Sequence, residues 1–243
     1  MNATVRNAFI IVLAVIAAVG IVLIVNSQRS STPASTGGAD SRTVTYTVNG
    51  ATQSVTLTKL AEDPFVGARF VQGADSAPVT VVEFADYQCP ACAQFANFVA
   101  AQFKTEFVDT GKVRYAYRDF PLDIHENAPL AAVAASCANA ERRWEAMHDF
   151  LFRAQPQWSA SSTETFKTQL VDYARQLGLD NAAFQTCLSS NQFEDAIQRD
   201  RDAGTRAGLN GTPTFIINGY RLDSDRVPSI ETLRAVVGEF GAR

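Results

Sequence analysis

The chain has 243 residues, of which 47% are apolar and 19% charged, with a formal net charge of −4. An apolar fraction of that size supports a packed core and excludes disorder along the whole chain, and the length allows one large domain or two small ones. The acidic balance leaves no basic face to neutralise phosphates, which argues against nucleic acid as a partner and towards a protein client or a small molecule.

Residues 8–25 form an apolar run without an internal charge, softened only by Gly20. As a helix it would rise about 27 Å, close to the ~30 Å hydrocarbon core of a bilayer. Arg6 and the terminal amine precede it, which by the positive-inside rule keeps the N-terminus cytoplasmic and sends the rest outside, although Arg29 nearly balances Arg6. The run exceeds a usual signal-peptide core, and Val25-Asn26-Ser27-Gln28 lacks a small-x-small cleavage pattern. An uncleaved membrane anchor over 1–26 is therefore favoured over a removed signal peptide, and a buried globular helix is disfavoured because the run has no polar face.

Residues 27–42 are rich in Ser, Thr, Gly and Ala and read as a flexible linker. From Thr43 the apolar residues Val44, Tyr46 and Val48 alternate with polar ones, Asn49-Gly50 offers a turn, and alternation resumes to Val55 and Leu57. That predicts a β-hairpin, an N-terminal extension over 43–62 at the edge of a sheet, with a binding role as the lesser alternative. The main domain is placed at 63–243.

Residues 79–84 follow Pro78 as a short β-branched run, predicting a central strand covered on both faces. Beyond Cys89-Pro90-Ala91-Cys92, the residues Phe95, Phe98, Val99, Phe103 and Phe107 recur at helical spacing until Gly111. Residues 112–120 return to strand-like alternation. A helical block then runs over about 123–208, followed by strands at 214–217 and 220–222 around Asn218-Gly219 and a last helix from about Pro228. This order predicts an α/β fold, a mixed central sheet flanked by helices, with a helical subdomain inserted between its halves.

Cys89 falls near a helix N-cap with Pro90 at the first helical position, where a missing N–H costs nothing. There the dipole and free backbone N–H groups stabilise a thiolate, so Cys89 is the candidate nucleophile. Cys92, in the first turn and more buried, suits a resolving role. A zinc half-site is the weaker reading: His125, His148, Cys137 and Cys187 are ligands by type, but none forms a second close pair, and no metal site is expected. A permanent structural bridge between Cys89 and Cys92 is also disfavoured. Cys137 and Cys187 lie among apolar residues of the helical block, where they form a structural disulfide, two buried thiols or a second redox pair, the first being favoured in an oxidising compartment.

Gly211-Thr212-Pro213-Thr214 opens the strand at 214–217. Pro213 is either an edge residue or, with a dithiol upstream, a cis-proline beside it, where Thr212 and Pro213 would offer backbone to an extended client. Glu83 sits inside an apolar strand, where a carboxylate is costly. It is either a proton acceptor for Cys92 with a raised pKa or a local partner of Lys112 or Arg114. Asp86 and Tyr87 read as capping and shape residues, His125 and His148 as packing residues, and Trp144, Met147, Phe150 and Leu151 as the core of the insertion.

The stretches Ala77-Pro78-Val79-Thr80-Val81-Val82-Glu83-Phe84-Ala85-Asp86-Tyr87-Gln88-Cys89-Pro90-Ala91-Cys92, Trp144-Glu145-Ala146-Met147-His148-Asp149 and Gly211-Thr212-Pro213-Thr214-Phe215 resemble the DsbA-like branch of the thioredoxin superfamily, in particular its membrane-anchored group related to BdbD. The resemblance covers roughly residue 65 to the C-terminus. It implies a thioredoxin fold and oxidation of exported proteins outside the cytoplasm, with Cys89 forming the mixed disulfide, Cys92 resolving it, Pro213 in cis and Glu83 as the buried acid. It also implies reoxidation by a membrane quinone-linked partner of the DsbB or vitamin K epoxide reductase type, and no cofactor of the protein's own. Ala91 stands where strongly oxidising members with Cys-Pro-His-Cys carry histidine, which implies a milder oxidant. A reductase or isomerase of the same fold, or a binding module with an incidental CxxC, are the competing functions.

Overall fold

The structure, a computed structural model, describes residues 40–224 and 227–241. The expected anchor, and all but the last three residues of the expected linker, lie outside the described residues. Among the described residues no helix is long and apolar enough to cross a membrane.

The hairpin forms from β1 (Ser41–Val48) and β2 (Ala51–Lys59), with Val48 facing Ala51 across the Asn49-Gly50 turn. Asn49 and Gly50 both take positive φ, the conformation this turn demands. Pairing begins two residues earlier than the alternation indicated, because Ser41 and Arg42 face Thr58 and Leu57. The hairpin extends the main sheet: β2 pairs antiparallel with β7 (Tyr220–Asp223). The Tyr46 hydroxyl and Thr232 Oγ1, 2.7 Å apart, tie it to the last helix, α9 (Ile230–Glu239).

Among the described residues, seven strands lie in the order β1-β2-β7-β6-β4-β5-β3. The central strand β4 (Val79–Ala85) runs parallel to β5 (Val113–Asp119) and antiparallel to β6 (Thr214–Ile217). β3 (Phe70–Gln72), which has too few residues to show a period, closes the far edge against β5. Val82, Phe84 and Ile216 face one apolar layer with Ala203 and Leu209; Val81, Tyr115, Tyr117 and Ile217 face the larger one. Helices therefore cover both faces, which is why β4 reads as continuously apolar.

The helix expected from the phenylalanine spacing is broken. α1 (Pro90–Phe98) ends at Val99, α2 (Ala100–Phe103) restarts it, and a π-helical turn (Lys104–Val108) finishes it. Phe95, Phe103 and Phe107 are buried, while Phe98, at the end of α1 just before the break, is 81% exposed.

The helical block comprises α3 (Ala128–Asn139), α4 (Trp144–Arg153), α5 (Gln155–Trp158), α6 (Thr163–Gln176), α7 (Asn181–Leu188) and α8 (Glu194–Arg206). Asp180 and Ser162 cap α7 and α6 by accepting backbone N–H groups. Gly204 lets α8 lie against β5, since a Cβ there would come within 2.6 Å of the Phe120 ring.

Contacts centred on Trp144 and Arg69 help fasten this block to the sheet. Trp144 stacks on Phe70 at 4.8 Å, so the stripe expected to form the insertion's own core also joins it to β3. Arg69 donates to Asp119 at 2.5 Å, to Ser136 at 2.9 Å and to Asp200 at 3.1 Å, linking β5, α3 and α8. Another tie, between α3 and α7, lies within the block: Cys137 and Cys187 are bonded to each other across a separation of 50 residues. Removing that bond frees a long loop in the unfolded chain, so Cys137→Ala/Cys187→Ala is predicted to cost about 4 kcal/mol. Urea denaturation under non-reducing conditions measures it.

Candidate redox site

β4 delivers the chain to the centre of the sheet, and a short turn leads to Cys89. Asp86 shapes this turn: its carboxylate accepts the N–H of Gln88 at 2.6 Å and of Leu122 at 2.8 Å, and its backbone carbonyl accepts the Cys89 N–H at 3.1 Å. His125 Nδ1 lies 2.8 Å from the same carboxylate. Cys89 is the N-cap of α1 and Pro90 its first residue. α1 then places Cys92 beneath Cys89, fully buried where Cys89 is 7% exposed.

The Thr212–Pro213 peptide is cis and lies beside the dithiol, with the Cys89 thiol donating to the Thr212 carbonyl at 3.4 Å. Thr212 Oγ1 is buried and has no hydrogen-bond partner. An ionised sulfur can only accept, and that hydroxyl is then the nearby donor. Phe95 of α1 packs on Phe215 at 4.6 Å, holding the cis segment against the helix.

The two sulfurs differ. A hydrogen bond from Cys92 does most to lower the Cys89 thiol, from 9.0 to about 5; the Thr212 side chain and the N–H groups of Cys92 and Ala91 add to this, and partial burial opposes it. Cys92 is pushed well above its ordinary value, first by burial and then by its neighbours Cys89 and Glu83. Ala91 contributes no cation, and the low Cys89 value rests on hydrogen bonds alone.

Glu83 shares the Cys92 side of β4 and is 2% exposed. Its partner is neither Lys112 nor Arg114, which pairs with Asp75 at 2.7 Å, but Tyr115, whose hydroxyl donates to the carboxylate at 2.5 Å. Burial raises the Glu83 carboxyl from 4.5 to about 8 against that hydrogen bond. Tyr115 could have been read only from its parity with Glu83 across two parallel strands.

Behind the turn, the Tyr87 hydroxyl and His148 Nδ1 are 3.1 Å apart in a cluster with Tyr117, Trp144 and Phe152. Burial lowers His148 to about 3 and keeps the ring neutral. Thus Cys89, Cys92, Glu83, Thr212 and Pro213 come together, whereas Cys137 and Cys187 bridge two helices elsewhere. Of the four residues weighed as zinc ligands, Cys137 and Cys187 are bonded to each other, His125 lies against Asp86 and His148 against Tyr87, and among the described residues no group of three or more His, Cys, Asp or Glu is arranged to hold a metal.

A dithiol at a helix N-terminus, a cis-proline segment against it and a sheet with helices on both faces define a thioredoxin-fold protein of DsbA-like build. The chain belongs to the thioredoxin family whose Thioredoxin_4 model matches residues 66–238. It is 24% identical to oxidised BdbD of Bacillus subtilis, with a TM-score of 0.64 over 75% of this chain and 95% of that one. It is 28% identical to a protein of Bacillus anthracis named as a probable disulfide bond formation protein D, over 63% of this chain and 71% of that protein. A Na(+)/H(+) antiporter, NhaA 3 of Salinispora tropica, is 38% identical over 69% of this chain, and the match spans only 24% of the antiporter's length.

The displacement of Cys89 and of Glu83 can each be tested by titration. In the reduced protein the thiolate absorbance near 240 nm should rise with a midpoint near pH 5, and Cys89→Ser should remove that transition. Glu83 in the fold keeps a proton that the unfolded chain has lost between 4.5 and about 8, so its burial reduces stability as pH rises through that window. Glu83→Gln should lessen the decline by on the order of a few kcal/mol, with Asp119, raised by burial to about 7, retaining part of it. Denaturation of the oxidised protein at pH 5 and pH 8 measures this without interference from the two thiols.

Proposed function

We propose that the chain is an extracytoplasmic thiol–disulfide oxidoreductase that introduces disulfides into exported proteins. The observation that carries this reading is the placement of the dithiol, with Cys89 at the helix N-cap beside the cis Thr212–Pro213 peptide and Cys92 fully buried, an asymmetry that displaces Cys89 towards the thiolate and Cys92 towards the thiol. A stabilised Cys89 thiolate favours the reduced enzyme, which makes the disulfide form an oxidant.

In the oxidised enzyme a client thiolate attacks Cys89 Sγ, the Cys89–Cys92 bond breaks, and Cys92 leaves. Glu83, protonated at neutral pH, supplies the proton that Cys92 takes up. A second client thiolate then attacks the client sulfur of the mixed disulfide and expels Cys89 as a stable thiolate. The client loses two electrons to the dithiol. In the reverse direction Cys92 resolves the mixed disulfide and returns its proton to Glu83.

Thr212 and Pro213, which adjoin the Cys89 sulfur, are proposed as the client-binding edge. Reoxidation is assigned to a membrane quinone-linked partner of the DsbB or vitamin K epoxide reductase type. Residues 1–26 are proposed as the membrane anchor, 27–42 as its linker, 43–62 as the hairpin extension and 63–243 as the catalytic domain.

Cys92→Ser should accumulate client proteins linked to Cys89 in cells, visible on non-reducing gels, while Cys89→Ser should trap none. The Cys89–Cys92 equilibrium against glutathione sets direction. A potential well above the roughly −270 mV of thioredoxin supports the oxidase, and one near that value would turn the reading to a reductase.

A further inference from the structure

The turn that carries Cys89 is gripped by a side chain from the helical insertion. Gln155, the first residue of α5 and 7% exposed, donates through its single Nε2 to two backbone carbonyls, those of Tyr87 at 2.8 Å and Cys89 at 3.0 Å. The Cys89 carbonyl also accepts the Ala93 N–H at 3.1 Å, the first main-chain bond of α1. Gln155 thus grips both sides of Gln88 and the first turn of the redox helix together.

The support for Gln155 is stiff. Trp158, fully buried one turn on, donates its indole N–H to the Leu151 carbonyl at 2.9 Å and stacks on Phe166 at 4.4 Å. Gln88 strengthens the connection from the other side, donating to the Ser159 carbonyl at 2.7 Å and accepting the Asn127 N–H at 2.8 Å. Of these two amides, only that of Gln155 touches the carbonyl of Cys89 itself.

A buried amide with two donors matches two buried acceptors here, and an aliphatic side chain would leave the Tyr87 and Cys89 carbonyls without that donor. Carbonyl oxygens carry partial negative charge, so those two near a thiolate oppose its formation. Their hydrogen bonds to an amide weaken that opposition and fix the turn whose N–H groups face the sulfur.

We propose that Gln155 is a positioning residue for thiol–disulfide exchange: it holds the Cys89 turn in the geometry that stabilises the thiolate, and so makes the redox character of Cys89 depend on the helical insertion. The inference rests on the proposed redox function and names the residue through which the insertion acts on it.

The test compares the full protein with Gln155→Met, Gln155→Asn and Gln88→Met. For each, the Cys89 thiolate titration, the equilibrium with glutathione and the thermal midpoint are measured. Losing a hydrogen bond worth about 1 kcal/mol beside the sulfur should move the glutathione equilibrium about fivefold towards the enzyme disulfide and shift the thiolate midpoint to higher pH. Gln155→Asn keeps the amide but withdraws it by one methylene, so it should move both in the same direction and serves if Gln155→Met does not fold. Gln88→Met should lower the thermal midpoint with a much smaller redox change. Folded Gln155 variants with wild-type thiol titration and equilibrium would overturn the inference, and so would equal redox shifts in Gln88→Met, which indicate general loosening. A wild-type protein without a low Cys89 transition or exchange with glutathione would instead defeat the redox function itself.

Discussion

The first turn of α1 has backbone N–H groups with no helical partner, and those of Ala91 and Cys92 help stabilise the sulfur of Cys89 as a thiolate. Most of the surrounding architecture keeps that arrangement intact. β4 must be central and buried on both faces to bring the chain to this point. Asp86 must bend the chain back within three residues, and the 212–213 segment must close over the sulfur from β6. Any of these could exist in another fold, but together they set one sulfur among donors and the other in the dark of the core.

Burial does the complementary part. Cys92, Glu83 and Tyr115 lie on one side of the sheet, and each is held there in its neutral form by the cost of desolvating a charge. The pair formed by Glu83 and Tyr115 satisfies a carboxyl that would otherwise be an unpartnered group in an apolar layer. Hydrogen bonds, above all the one from Cys92, and desolvation thus act on sulfurs three residues apart in opposite directions. The difference arises from the chain's own groups.

Much of this was legible in the sequence because it rests on local signals. Pro90 after Cys89 marks the helix start, Asn49-Gly50 and Asn218-Gly219 mark hairpin turns, and the apolar run at 79–84 marks the central strand. What escaped depends on contacts between distant elements. Gln155 carries no period or motif and Tyr115 only the alternation of its strand, and their roles appear only when α5 meets the turn and β5 lies beside β4. Phe98 shares the helical spacing of the stripe but sits at the exposed end of α1, and β3 is too short to register. Trp144 looked like interior packing of the insertion, whereas its ring lays one face on Phe70 of the sheet.

The bond between Cys137 and Cys187 encloses α4, α5 and α6, and therefore Gln155, in a covalent ring. On the proposed function, the newly made chain reaches its compartment with both thiols of that ring reduced and has to acquire the bond there. It is then a substrate before it is a catalyst. The first copies depend on an outside oxidant, and later copies can be matured by earlier ones, so that the supply of finished protein and the oxidising capacity of the compartment rise or fall together.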